Sequence, residues 1–176
     1  MAAARRKAAE RLGLRDPGSL PDADEIREAL EAHHRLFSPR HFDPGRLRRQ
    51  REAALAAMDH FADFDPRLAG PVLDGSAGPG DAVVLHLHAE HADAVAQQLA
   101  DRGAPARQRV RRIQLAAGGA TDVPCWELIA GDQAFELWVL PPSAARLPPR
   151  EPLGGGPLPR AARVAVARLL DEDSAP

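Results

Sequence analysis

The spacing of apolar positions divides the chain into a helical first third and a middle in which strands and helices alternate. In the first third, apolar residues recur at helical intervals and predict three helices, over residues 2–12, 21–37 and 44–65. Asp43 and Pro44 suit the N-cap and first turn of the third helix, and Pro66 marks its end. We therefore expect a helical N-terminal region over residues 1–66.

Beyond Pro66, apolar residues tend to alternate with polar ones, which is the period of a β-strand. This alternation and the short apolar runs predict strands over residues 68–73, 82–88, 107–115, 123–129 and 134–140. Helical spacing returns over residues 93–102 and 160–170. The pair Gly131-Asp132 predicts a tight hairpin between the last two strands.

These elements predict an α/β fold of the α+β kind, with a mixed β-sheet of about four to five strands and flanking helices. The length of 176 residues suits one domain. We expect that domain to have three parts: helical residues 1–66 packed on the core, a sheet core over 67–142, and a Pro/Gly loop with a C-terminal helix over 143–176.

Composition and charge exclude several classes of protein. The net charge of -2 gives no basic footprint, which disfavours nucleic acid as a partner. The single cysteine, Cys125, excludes an intramolecular disulfide and fits the reducing cytoplasm. Runs of about 18 apolar residues are missing, so we expect no membrane span. Lys7 is the only lysine in a chain rich in alanine and arginine, so arginine runs are weak evidence of function.

A short pattern in the middle of the chain carries a family resemblance. Val72-Leu73-Asp74-Gly75-Ser76 is followed by an apolar strand over 83–87, a helix, and a later strand that contains Glu136. This order, from Leu68 to Leu140, resembles the polymerase-β-like nucleotidyltransferase superfamily in its minimal form. The resemblance implies a nucleotidyltransferase-like core in which Gly75 and Ser76 contact a nucleoside triphosphate. It also implies that Glu136 is the third of three carboxylates.

The sequence departs from that family at the two other carboxylates. Nucleotidyl transfer uses two metal ions, usually Mg²⁺, which need carboxylates two residues apart on one strand face. Those positions fall on Ala82 and Val84, and Asp81 stands one residue before the face. We therefore expect a catalytically degenerate member that binds a nucleotide or a partner protein. The alternative is an active enzyme that transfers a nucleoside monophosphate with Glu136 and Asp81.

A second alternative is a metal site built from histidines. His86 and His88 share one face of the strand over 82–88, and Glu136 lies on the neighbouring strand that the resemblance implies. Two imidazoles and one carboxylate suit Zn²⁺. The simpler interpretation is that the histidines cap the strand end and the following helix at the surface without binding a metal.

Arginines and the cysteine also have two interpretations each. Alternation places Arg107, Arg109 and Arg111 on one strand face, where Arg109 and Arg111 could hold phosphates. The simpler interpretation is a solvated strand face. For Cys125, in an apolar strand beside Trp126, we expect a buried and inert thiol.

Overall fold

The structure is a computed structural model that describes residues 44–116, 119–151 and 156–172. The first two predicted helices, with His33 and His34, lie outside these ranges. The described helices are α1 (Pro44–His60), α2 (Pro71–Asp74), α3 (Ala92–Asp101) and α4 (Arg163–Glu172), with single 3-10 turns at Ala62–Phe64 and Pro142–Ala145. None of them combines the length and the apolar character that a membrane span requires.

Six strands form one mixed sheet. They are β1 (Arg67–Ala69), β2 (Val83–His88), β3 (Ala106–Gln114), β4 (Ala120–Ala130), β5 (Gln133–Leu140) and β6 (Arg160–Ala161). Their order across the sheet is β3-β4-β5-β2-β1-β6, and only β2 and β5 pair in parallel. The predicted mixed sheet with flanking helices is therefore confirmed, with one strand more than expected.

The main core lies between one face of the sheet and the helices. Val83, Leu85 and Leu87 of β2 alternate onto this face, where they pack with residues from all four helices: Leu47, Ala54, Met58, Val72, Val95, Leu99 and Val166. Each fully buried aliphatic side chain of this kind contributes roughly 1.5–3 kcal/mol. An ion pair between Arg163 and Asp59 also joins α4 to α1. This side of the sheet is called the helix-covered face below.

The opposite side, called the open face below, has a thinner cover within the described ranges. A small cluster of Ile113, Val123, Leu140 and Ala144 packs there under the 3-10 turn Pro142–Ala145. His86 and His88 alternate onto this face from β2, and Glu136 and Trp138 alternate onto it from β5. The open face thus carries most of the polar residues that the sequence singled out.

The first predicted strand is too long. It was expected over 68–73, but β1 ends at Ala69 and α2 begins at Pro71. Gly70 has φ +73, which breaks the extended backbone, and Pro71 suits the first turn of a helix. Gly75 and Ser76 therefore follow a helical turn and not a strand.

The last predicted helix also differs at its start. It was expected from Arg160, but Arg160 and Ala161 form β6 beside β1, and α4 begins only at Arg163. By contrast, the predicted hairpin is present, since β4 and β5 are joined at Gly131, which has φ +59. Glycine adopts that left-handed conformation with little strain.

Candidate functional site

Glu136 lies on the open face of β5, next to the parallel strand β2. On parallel β2 and β5, Val84 is the direct partner of Glu136, and on antiparallel β4 its partner is Glu127. An aliphatic side chain therefore stands beside Glu136 where a second metal-binding acid was sought. Ala82 precedes β2 and adds no ligand atom.

Both carboxylate oxygens of Glu136 are engaged by neighbouring side chains. Arg111 Nη2 donates to Oε1 at 2.5 Å, and Trp138 Nε1 donates to Oε2 at 2.9 Å. A carboxylate held in this way is a hydrogen-bond acceptor for the sheet. It has less capacity left for a metal ion or for a proton from a substrate.

The predicted phosphate-binding arginines join the same network. Arg109 Nε lies 3.3 Å from Glu127 Oε2, and Arg111 Nη2 lies 3.5 Å from Glu127 Oε1. The result is a chain of ion pairs across β3, β4 and β5. Because these side chains are roughly one-fifth to two-fifths exposed, each pair contributes only about 0–1 kcal/mol.

His86 is buried on the open face, whereas the simpler interpretation expected it at the surface. Its exposure is 0%, its ring stacks on Trp138 with centroids 5.2 Å apart, and neither ring nitrogen has a hydrogen-bond partner among the described residues. Burial, followed by the charges of Arg160 and His88, lowers the pKa of His86 to about 3. The imidazole is therefore neutral at pH 7.

His88 is held by two defined contacts. Its Nδ1 lies 2.8 Å from the carbonyl oxygen of Asp65, and its Nε2 lies 3.2 Å from Arg160 Nη1. Both contacts are satisfied if Nδ1–H donates to the carbonyl and Nε2 accepts from the guanidinium. Burial is the main cause that lowers the pKa of His88.

The predicted zinc ligands are not grouped as a metal site. Within the described ranges, no three His, Cys, Asp or Glu side chains are placed to hold one ion. The register explains this result, because Trp138 and not Glu136 is the direct partner of His86 on β5. In addition, Glu136 is tied to Arg111, and both nitrogens of His88 have partners.

The Gly75-Ser76 turn lies away from Glu136. A Cβ added at Gly75 would contact Arg51 and Leu47 of α1, which places the turn on the helix-covered side. Ser76 Oγ and its backbone N–H both donate to Asp74 Oδ1, at 2.6 and 2.9 Å. The donors of Ser76 are therefore satisfied within the turn, and the structure does not bring the turn together with Glu136.

Asp81, the second candidate catalytic acid, also serves a turn. Its Oδ2 accepts a hydrogen bond of 2.7 Å from the backbone N–H of Gly78, and its side chain is otherwise exposed. It precedes β2 and so has no place in the strand register that Glu136 shares with Val84.

Cys125 is buried on β4 opposite Trp138, as expected. Burial, and next the charge of Glu136, raise the pKa of the thiol to about 11. A thiolate is the reactive form of cysteine, so this residue is inert at neutral pH. The predicted inert thiol agrees with this environment.

A second polar region, which the sequence did not predict, lies at the other end of the sheet. A cavity of about 580 Å³ is lined by Asp65, Arg67, Pro142, Ser143, Ala145 and Arg146. A neighbouring cavity of about 350 Å³ is lined by Arg67, Arg146, Pro148, Leu158, Arg160 and Ala162. Because both share Arg67 and Arg146, we treat them together as the arginine cleft.

Two of the three cleft arginines are fixed by other groups. Arg160 donates from Nη1 to Ala144 O at 2.8 Å and from Nη2 to Ala145 O at 3.1 Å. Arg67 pairs with Asp65, with Nη1 2.8 Å from Oδ1. Arg146 is exposed, and its side chain has no ion pair or hydrogen bond within the described parts of the chain.

Comparison of the chain with protein-family models, curated proteins and solved structures finds no match. The arrangement of its own side chains is therefore what bears on function.

Proposed function

We propose that the protein is a nucleotidyltransferase-like module that binds a nucleotide or a related phosphate compound and does not transfer nucleotides. One observation carries the proposal: the partner of Glu136 on the parallel strand is the aliphatic Val84, and the acid beside it on β4, Glu127, is paired with Arg109 and Arg111. Two-metal transfer needs several carboxylates around the two ions, and here one position of three is acidic.

The state of Glu136 supports the same conclusion. Arg111 and Trp138 occupy both of its oxygens, so this carboxylate is already used by contacts within the sheet. Asp81, which the active-enzyme alternative requires, accepts from its own turn and precedes the strand. The described side chains therefore favour binding of a ligand without nucleotidyl transfer.

A partner protein is the second candidate, and the exposed strand β3 favours it. This edge strand has exposed residues on both faces, including Val110 at 67% exposure. Backbone groups on an open sheet edge can pair with an extended segment of another protein. The arginines along β3 also guard the edge against unspecific pairing, so this observation weighs less than the register of Glu136.

A pyrophosphate-release assay tests the absence of transfer. The full chain is incubated with each ribonucleoside triphosphate and Mg²⁺ or Mn²⁺, with Glu136→Gln as the matched variant. We expect background release from both proteins, and binding of ATP by calorimetry. Release by the wild type that is lost in Glu136→Gln and in Asp81→Asn would establish the active-enzyme alternative instead. If none of the nucleotides binds, binding of a partner protein would be the function that remains.

A further inference from the structure

We propose that the arginine cleft, and not the Gly75-Ser76 turn, binds the phosphate group of a small-molecule ligand. The inference rests on the proposed binding function and assigns it a site. The Gly75-Ser76 turn spends its donors on Asp74, whereas the arginine cleft places three guanidinium groups around one opening.

The residues that line the cleft carry an excess of positive charge. Arg67, Arg146 and Arg160 bring three positive charges, and Asp65 brings one negative charge, which leaves an excess of two. The whole chain has a net charge of -2, so this excess is local. A phosphate monoester carries about two negative charges at neutral pH and would match it.

The charges of these arginines also influence one another. Burial, and next the charge of Arg67, lower the pKa of Arg160, whereas the charge of Asp65 raises it. A bound anion would stabilise the positive charges of Arg67 and Arg160. Guanidinium groups bind phosphate oxygens through paired N–H donors, so a phosphate is the anion whose shape suits them.

The cleft is also preorganised. The contacts of Arg160 with the carbonyl groups of Ala144 and Ala145 hold the 3-10 turn Pro142–Ala145 against β6. The same turn places Ser143 in the cleft wall, and Arg146 follows it directly. Fixed donors lose little conformational freedom when a ligand binds, which favours affinity. Among the described residues, the Arg146 side chain has no ion pair or hydrogen bond, so its N–H donors are available to a ligand.

The lining says which part of the ligand is recognised. The described walls contain prolines, a leucine and small residues but no aromatic ring on which a nucleobase could stack. We therefore expect affinity to depend on the phosphate group and little on the base.

Calorimetric titration of the full chain at low ionic strength tests the site. The probes are ADP, inorganic phosphate and adenosine, with Arg146→Gln as the variant. Arg107→Gln is the matched control, because Arg107 is an exposed arginine on β3, the strand farthest from the cleft. We expect ADP and phosphate to bind and to compete, and adenosine not to bind. ADP should bind at least tenfold more weakly to Arg146→Gln and within twofold of wild type to Arg107→Gln.

The outcomes separate the site from the function. Binding of ADP that is unchanged in Arg146→Gln, or weakened equally in Arg107→Gln, would overturn the arginine cleft but leave a nucleotide-binding module. Binding of adenosine as tight as that of ADP would also overturn it. Absence of binding by every probe would overturn both this inference and the proposed function. Circular dichroism of both variants checks that each is folded like the wild type.

Discussion

Arg111 on β3 and Glu136 on β5 form an ion pair across the intervening strand β4, with Arg111 Nη2 2.5 Å from Glu136 Oε1. The pair makes the Glu136 carboxylate an internal acceptor of the sheet. Trp138 completes the arrangement from the same strand. The predicted site residues Arg109, Arg111 and Glu136 thus belong to one ion-pair network, in which Glu127 links Arg109 to Arg111 and Arg111 pairs with Glu136.

A double-mutant cycle with Arg111→Gln and Glu136→Gln should give a coupling energy of at most about 1 kcal/mol, because both side chains are partly exposed and solvent screens their charges. Urea unfolding of the wild type, both single variants and the double variant measures it. The more exposed pair Arg112–Asp122 is the control and should give a value near zero. A coupling above about 3 kcal/mol would mean that the Arg111–Glu136 pair behaves as a buried one.

Gly75→Ala should destabilise the protein by about 1–2 kcal/mol, since Gly75 has φ +85 and an L-residue is strained there. The added Cβ itself meets only ordinary contacts, the nearest at 3.8 Å. Gly80→Ala is the control, because no atom lies within 4 Å of its added Cβ and its φ is not in the left-handed region. Thermal unfolding measures both. Equal stability of the two variants would show that the turn at Gly75 relaxes freely.

His86 should make the protein sensitive to acid. Its pKa is about 3 in the folded protein and about 6.5 in the unfolded chain, so the unfolded chain binds the proton first as the pH falls. The contribution of His86 to the free energy of unfolding is therefore fully present above pH 6.5. It declines from there towards pH 3, by up to about 1.4 kcal/mol per pH unit. The lowered pKa of His88 acts in the same direction.

His86→Leu tests that prediction. The variant should keep its unfolding free energy at pH 7.5 within about 1.5 kcal/mol, because a side chain without hydrogen bonds is replaced by an apolar one of similar size. Its stability should then fall less steeply than that of the wild type between pH 6.5 and pH 4.5. Urea unfolding at several pH values measures both slopes. Parallel curves for the two proteins would contradict the assignment to His86.

Cys125 should not react with a thiol reagent such as DTNB in the native protein at pH 8. Its pKa of about 11 leaves roughly one thiol in a thousand ionised, and the sulfur is buried. Addition of denaturant should release one equivalent of thiol, which serves as the internal control. Rapid reaction without denaturant would show that β4 opens readily around Cys125.

Much of the sheet follows from the local pattern. The alternation over β2 placed Val83, Leu85 and Leu87 in the core, because a period of two sends alternate side chains to one face. The pair Gly131-Asp132 correctly predicted the hairpin between β4 and β5. By contrast, the strand expected over 68–73 ends before Gly70 and Pro71. The backbone changes conformation there, although the apolar run continues.

The candidate site was predictable only in part, because contacts between distant segments leave no local signal. Glu136 and Arg111 could be placed by strand register, and the structure brings them together. The arginine cleft could not be anticipated. It depends on the pairing of Ala69 with Arg160 in the two-residue strand β6, which is too short to show a period. In a chain that uses arginine for nearly all positive charge, Arg67, Arg146 and Arg160 also do not stand out.

The parallel pairing of β2 with β5 has a consequence for how the chain is built. β2 finds β1 through a short connection, but its other neighbour is available only after α3 and the β3–β4 hairpin have been made. During synthesis, one edge of the innermost apolar strand therefore waits for residues up to Leu140. In a chain whose synthesis has not yet reached β5, this edge of β2 has unpaired backbone groups, which chaperones can bind.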